Sequence, residues 1–416
     1  MGESKQDMSL TARLLPAAMR LRRANRNYRT RAHVRRHLDK LKLRPRPVNP
    51  PKRLRRDVTV TATWDRGWRI YTISPAHAEA HGTVVYLHGG GWIHEAAGAH
   101  WRWVQQLAHE ASVSVIMPVY PLAHEGGTAE TVVPRIAELC EQHEQQMVLM
   151  GDSAGGSIAM SASLLLAERR VPTALTVLVS PALDLRFTNP EIDAVQPSDP
   201  WLVKKGQLEV AEMWIGEHGE DPILNPILGG FQGISGVMIF SGTRDILNPD
   251  TRLFVRNARE SGVDVEFHEQ PGHLHVYPLL PTPEGRRARR RIVESVREIS
   301  SAQVARGLPR RREDDRATAR GTARWTGDHH APGTCPRLRM PRMSSPRKAR
   351  ASSVHRGNRP PEPRGAAAAA RGDQRPMGTS AWNRSGIPTP GQPHPPGPAG
   401  YRRIQPLATP SSAMSS

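Results

Sequence analysis

Cysteine is almost missing: the 416-residue chain has two, Cys140 and Cys335. Two thiols cannot build a disulfide framework, and the usage fits a reducing compartment or indifference to redox. Long apolar runs are missing as well. None approaches the roughly 18–20 residues needed to span a bilayer. The longest N-terminal apolar piece, Leu14 to Met19, is too short for a signal-peptide core and has arginines on both sides. A cytoplasmic location is the resulting expectation. The chain also lacks G-x-G-x-x-G and G-K-[S/T], so its glycine-rich stretches are not the usual nucleotide-phosphate loops.

Acidic residues are outnumbered, 39 against 58 Lys and Arg, giving a net charge of +19. The imbalance is uneven. Residues 1–56 carry +15, residues 306–416 carry +15, and residues 57–305 carry −11. The part able to fold is therefore acidic, which excludes a basic nucleic-acid binder as the reading of the whole chain. No nucleic-acid partner is expected.

Three segments follow. Residues 306–416 hold 17 prolines, an alanine run at 366–370, and no sustained helical or strand period. Such a composition predicts a non-globular, disordered tail. Its abrupt start after a helical pattern is what reading past a frameshift in GC-rich DNA would produce. Residues 1–56 form a basic flank. Leu10, Leu14, Leu15, Met19, Leu21, Val34, Leu38 and Leu41 recur at spacings near three and four among arginines. This predicts one or two amphipathic helices over 9–43, ended by Pro45, Pro47, Pro50 and Pro51. They would cap a site, with a peripheral membrane contact through residues 1–56 as the other functional reading.

Residues 57–305 alternate strand and helix. Val58–Trp64 and Trp68–Ile73 have a period of two. Short apolar runs follow at Thr83–Leu87, Val113–Pro118, Met147–Met150, Leu175–Val179, Val237–Phe240 and Val263–Phe267. Helical patterns lie at 98–111, 131–144, 154–170, 250–261 and about 284–304. Continuous apolar strands between helices predict an α/β fold: one mostly parallel central sheet covered on both faces. The strandless stretch 182–235, with Trp201 and Trp214, is a candidate second cap element.

Two glycine-rich loops carry the chemistry. Gly151-Asp152-Ser153-Ala154-Gly155-Gly156 joins an apolar run to an alanine-rich helix, the context of a G-x-S-x-G nucleophile elbow. The helix N-terminus behind the serine favours developing negative charge. His88-Gly89-Gly90-Gly91-Trp92 follows the run Thr83–Leu87, and its glycines leave backbone N–H groups free to aim at one point, as an oxyanion hole requires. A serine nucleophile needs a base, and the base an orienting carboxylate. Asp245 lies just past Val237–Phe240. Its rival Asp250 reads better as the N-cap of the next helix. After the last strand, His273 and His275 compete as base. The pair at i, i+2 has no third ligand cluster nearby, so no metal is expected.

His88–Trp92, Gly151–Gly156, Asp245 and Gly272–Pro278 together resemble the bacterial hormone-sensitive-lipase-like esterases, the fold-3 branch of the α/β-hydrolases. The resemblance covers roughly 57–305. Ser153 precedes Asp245 by 92 residues and Asp245 precedes His275 by 30. Gly272-x-x-His275-Val276-Tyr277 matches the family's G-x-x-H-x-[FYW] pattern, so the resemblance favours His275 as base. It implies Ser153, Asp245 and His275 as the triad and Gly90, Gly91 and Ala154 as the oxyanion hole. His88 and Gly89 would support that loop. Ser180-Pro181, Leu183-Asp184 and Asp199-Pro200-Trp201-Leu202 resemble further family segments. A helical cap, a small-molecule ester substrate of acetyl type and no cofactor are implied as well, with an amide or lactone substrate at the same site, or a non-catalytic small-molecule receptor of the same fold, as the alternatives. Trp92, Trp201 and Trp214 are candidates for the pocket wall.

Overall fold

The computed structural model of the chain describes residues 8–143, 146–216, 220–222, 224–305 and 323–324. In chain order the elements are α1 (Leu10–Leu21), α2 (Arg31–Leu43), β1 (Val58–Asp65), β2 (Trp68–Pro75), β3 (Thr83–Leu87), α3 (Gly98–Ala111), β4 (Ser114–Val119), α4 (Ala129–Glu141) and β5 (Val148–Asp152). They continue with α5 (Ala154–Glu168), β6 (Leu175–Val179), α6 (Glu191–Val195), α7 (Lys204–Ile215), β7 (Val237–Gly242), α8 (Asn248–Glu260), β8 (Val265–Gln270), α9 (Pro283–Ala305) and β9 (Ala323–Arg324).

One sheet runs β8-β7-β6-β5-β3-β4-β2-β1-β9. From β4 through β3 to β8 all neighbours are parallel, whereas β1, β2 and β9 add antiparallel strands at one side. The expected mostly parallel sheet is observed. The apolar runs become the buried central strands: β5 and β6 are buried at every position. One core layer joins the sheet to α2, α4, α5, α7 and α8 through Val34, Val132, Ile158, Val210 and Phe254. The other joins it to α3 and α9 through Trp101, Val104, Ile292 and Val296. Burial on both faces is why these strands read as continuous apolar runs rather than as alternations.

The basic flank forms the two helices expected of it, each with a hydroxyl N-cap: Ser9 accepts from the N–H of Ala12, and Thr30 from that of His33. Ser9 also donates through its backbone N–H and its hydroxyl to Glu284 at the start of α9, at 2.7 and 2.9 Å. The apolar stripe of α2, Val34, Leu38 and Leu41, enters the core. Its arginines face α7: Arg31 pairs with Glu209 at 3.0 Å and with Glu212, and Arg35 pairs with Glu209 at 2.6 Å. At Gly206 a Cβ would stand 2.1 Å from the carbonyl oxygen of Tyr28, so only glycine lets α7 approach the α1–α2 connection this closely. The flank and the insertion thus build one cap. This overturns the expected peripheral membrane contact through residues 1–56. The apolar face of α2 is already covered, Arg31 and Arg35 are paired with acids of α7, and no described helix is long and apolar enough to cross a membrane.

Of the segment expected to be a disordered tail, only Ala323–Arg324 is described. It pairs antiparallel with Thr61–Ala62. The rest of that expectation lies outside the described residues.

Candidate active site

Parallel registers align the carboxyl ends of the central strands. Leu87 of β3 pairs with Gly151 of β5, and Asp152 of β5 with Val179 of β6. Loops leaving those ends therefore meet at one place, where open α/β sheets carry their sites.

Ser153 sits between β5 and α5 with φ 53° and ψ −120°, a strained backbone for a residue with a side chain. Its N–H donates to Val179 O at 2.9 Å, and its carbonyl accepts from Ser157 and Ala182, which fixes the turn. Gly155 makes the turn possible: a Cβ there would lie 2.1 Å from the carbonyl oxygen of Leu87.

The structure brings Ser153, His275 and Asp245 together. His275 Nε2 lies 2.9 Å from Ser153 Oγ, and His275 Nδ1 lies 2.8 Å from Asp245 Oδ2. A carboxylate accepts, so Nδ1–H donates to Asp245 and Nε2 is left to accept from the serine hydroxyl. Asp245 is fully buried and also accepts from the N–H of Leu247 at 3.0 Å. Burial pulls the His275 imidazole towards its neutral form, but the Asp245 carboxylate more than offsets this, and the net pKa is raised. Its loop is held from outside: the N–H of Val276, at φ 48°, donates to Ser180 Oγ at 2.9 Å.

The rivals are elsewhere. His273 is buried, donates from Nδ1 to Pro271 O at 2.9 Å and packs edge-on to Tyr277. Asp250 is not the N-cap it was expected to be. The helix starts earlier, at Asn248-Pro249, which places Asp250 inside its first turn. Burial raises its carboxyl to about 7.

The N–H groups of Gly90, Gly91 and Ala154 donate to no acceptor among the described residues. Gly90 and Gly91 have positive φ, 133° and 61°. His88 stacks on Tyr120 at 4.6 Å and donates from Nδ1 to Gly89 O at 2.9 Å, while the Tyr120 hydroxyl donates to His88 O at 2.6 Å. Burial holds the His88 imidazole neutral, with its pKa lowered to about 4.

Sequence reasoning missed several supports. Asp152 Oδ1 accepts from Gly89 N–H at 3.0 Å and from the Tyr86 hydroxyl at 2.5 Å, and Oδ2 lies 3.3 Å from His100 Nε2. One buried carboxylate therefore ties the serine turn to the glycine loop. Burial alone would raise its pKa, but these partners outweigh it and lower it. Asp199 is the second. It accepts from the N–H groups of Trp201 and Leu202 at 2.8 and 2.9 Å and from Ile246 at 3.1 Å. Burial first, then repulsion from Asp245, raises its carboxyl to about 7. Asp152 lies within the serine motif and Asp199 opens the Asp199–Leu202 segment, but neither position shows by itself which groups its side chain bonds.

A cavity of about 320 Å³ reaches Ser153, His275 and Gly89–Gly91. Trp201 lines it and meets the His275 ring edge-on at 5.6 Å. Trp92 and Trp214 do not line it, which corrects that expectation. Both are buried and stacked on each other at 5.8 Å, in the core beneath the cap. No group of three or more potential metal ligands occurs among the described residues.

The sheet order and the sharp serine turn after β5 are those of the α/β-hydrolase fold. Known proteins agree. Residues 84–279 match the family described as alpha/beta hydrolase fold. A triacylglycerol lipase of Mycobacterium tuberculosis is 32% identical over 235 residues, covering 55% of this chain and 48% of that protein. An acetyl-hydrolase of Streptomyces hygroscopicus is 28% identical over 239 residues, covering 55% of this chain and 76% of the other. The chain thus spans about half the length of the mycobacterial lipase. A solved esterase of the bacterial hormone-sensitive lipase family aligns with a TM-score of 0.58 at 24% identity, over 71% of this chain and 100% of its own. An esterase/lipase from an uncultured bacterium aligns at 0.60 and 21%, over 70% and 99%. These two support the fold.

Residues 84–279 carry the α/β-hydrolase fold, and over them the chain resembles the fold-3 esterases and lipases related to the bacterial hormone-sensitive-lipase-like esterases. Its fold and its relatives are those of carboxylesterase/lipase-type serine hydrolases.

Proposed function

We propose that the protein hydrolyses short-chain carboxylic esters, acetyl esters foremost, with Ser153 as nucleophile, His275 as base and Asp245 as its orienting acid. The supporting observation is the chain Ser153 Oγ–His275 Nε2 at 2.9 Å and His275 Nδ1–Asp245 at 2.8 Å, facing an accessible cavity. Asp245 fixes the tautomer that leaves Nε2 free to take the serine proton. Ser153 Oγ then attacks the ester carbonyl, and the imidazolium formed is stabilised by the buried carboxylate. The N–H groups of Gly90, Gly91 and Ala154 receive the negative oxygen of the tetrahedral intermediate. Removing one such donor typically costs about a hundred- to a thousand-fold in rate. The imidazolium protonates the leaving alcohol, and water repeats the sequence on the acyl-enzyme. The acetyl preference is supported by the Streptomyces relative, named an acetyl-hydrolase. We assign catalysis to residues 57–305 and the cap to residues 1–56 with the insertion 182–235.

The test is turnover of p-nitrophenyl esters of rising acyl length by the protein and its Ser153→Ala variant. Turnover should be highest for acetate to butyrate and fall at least about a thousand-fold in the variant. Equal turnover in the two proteins would remove Ser153 from the mechanism. A maximum at long acyl chains would remove the short-chain assignment.

A further inference from the structure

The cavity that reaches Ser153 also reaches Glu95, which follows the His88–Trp92 loop. Glu95 is 9% exposed, and it lines this cavity and a small adjoining cleft that it shares with Arg46, His124 and Glu125. Among the described residues no side chain or N–H group hydrogen-bonds or pairs with it. Its neighbours in the wall are already engaged. His94 Nδ1 donates to Gly90 O at 3.0 Å and lies 3.2 Å from the Tyr28 hydroxyl, and His94 Nε2 lies 2.8 Å from His37 Nε2. The charge of Arg46 acts on Tyr28, His37 and His94. The charge that acts on Glu95 is another carboxylate, Glu125. Burial first, and Glu125 second, push its carboxyl up to about 7.

A carboxyl left without a partner away from water is costly, and proteins rarely keep one idle. The acids of the cap helix α7, Glu209 and Glu212, are paired with Arg31 and Arg35. Glu95 lines the space where substrate must lie. The remaining wall near Ser153 is largely apolar, with Trp201, Leu202, Val276, Leu279 and Leu280. A substrate that filled this space with hydrocarbon alone would seal Glu95 off unpaired. One that carried a donor would complete it. A buried polar group discriminates most strongly against an analogue lacking its partner.

We propose that Glu95 determines specificity by receiving a hydrogen-bond-donating group, an ammonium or a hydroxyl, on the part of the ester remote from the reacting carbonyl. This rests on the esterase reading above.

The test uses the full chain, with Glu95→Gln and Glu95→Leu, on two matched sets. One varies the acyl end: ethyl hexanoate, ethyl 6-aminohexanoate and ethyl 6-hydroxyhexanoate. The other varies the alcohol end: pentyl acetate, 5-aminopentyl acetate and 5-hydroxypentyl acetate. In one set the donor-bearing ester should exceed the plain ester in kcat/KM by about tenfold, one charge-assisted hydrogen bond's worth. Glu95→Leu should bring that ratio close to one. Glu95→Gln separates the two donors: it keeps an acceptor oxygen but no charge, so a hydroxyl preference survives and an ammonium preference is lost. Equal kcat/KM within both sets for the unaltered protein overturns the proposal. So does the same ratio in all three proteins. Thermal unfolding of each variant checks folding, and Glu95→Gln, which preserves shape, decides if Glu95→Leu does not fold. Turnover of p-nitrophenyl acetate that disappears in Ser153→Ala keeps the esterase reading standing if only the donor preference fails.

Discussion

At the scale of single residues, the site depends on carboxyls placed in surroundings that push them in opposite directions. Asp152 is held ionised by partners that outweigh its burial. Asp199 and Asp250 lack enough partners, and burial raises both to about 7. Asp245 sits beside Asp199 and transmits its charge to His275, whose pKa is raised above its ordinary value of 6.5. The sign of the resulting pH dependence is fixed. The base must be neutral to accept the serine proton, so kcat/KM falls as pH drops through a folded-state pKa that lies above 6.5. Asp245→Asn removes the main cause of that rise. The acid limb should then move to lower pH, and the plateau should drop by about ten-thousand-fold, as tautomer control is lost. A pH profile of kcat/KM with p-nitrophenyl acetate measures both. An unshifted limb would mean that another group titrates there. The residues proposed for this chemistry were partly legible in the sequence. Ser153, Asp245 and His275 follow strands in a fixed order, and glycines flag both loops. The bonding roles of Asp199, Tyr86 and His100 were not legible, because a buried polar side chain that bonds across the fold leaves no local period. Asp250 was misread because the helix begins two residues earlier at Asn248-Pro249, and proline suits a first helical turn.

Among elements, the sheet was the most legible part and the cap the least. β3 and β6 occupy the spans their apolar runs predict, and α3 does so too, because strands covered on both faces announce themselves by composition alone. The cap unites α2 and α7, which are more than 150 residues apart in sequence. Periodicity finds each helix but not its partner. Arg31 and Arg35 of α2, legible only as a surplus of charge, are partners for acids on α7. Glu209 makes this pairing consequential: its side chain is 8% exposed, against 44% and 69% for Arg31 and Arg35. Exposed ion pairs contribute about 0–1 kcal/mol, but stranding a buried carboxylate costs about 1–3 kcal/mol. The Arg31→Ala, Arg35→Ala double variant should therefore lose about 1–3 kcal/mol in urea unfolding. Adding Glu209→Gln should recover part of the loss by removing the stranded charge. Equal stability of the double variant and the unaltered protein would show that α2 is held by Val34, Leu38 and Leu41 alone.

Over the whole molecule, charge and chemistry occupy different parts of the chain. Every group assigned to the site lies between residues 57 and 305, where the net charge is −11, whereas the two flanks carry +15 each. The N-terminal flank is structurally committed: Ser9 is bonded to Glu284, Tyr28 lines the cavity, and α2 enters the core. Beyond α9 the described contribution is a two-residue ladder of Ala323–Arg324 on β1, far along the sheet from β5 and its serine turn. A chain ending at Ala305 would keep the triad, both loops and the whole cap, and its net charge would fall from +19 to +4, the balance of +15 and −11. It should hydrolyse p-nitrophenyl acetate with kcat/KM within about twofold of the full chain, since distant, independent parts contribute additively. Its retention on a cation exchanger should fall with the lost charge. The shortened chain also uncovers the outer edge of β1, an unpaired strand open to association, so light scattering belongs beside the kinetics. Unchanged turnover with weaker retention would separate the basic segment from catalysis. A loss of more than about tenfold in kcat/KM without aggregation would place residues beyond Ala305 in the working enzyme.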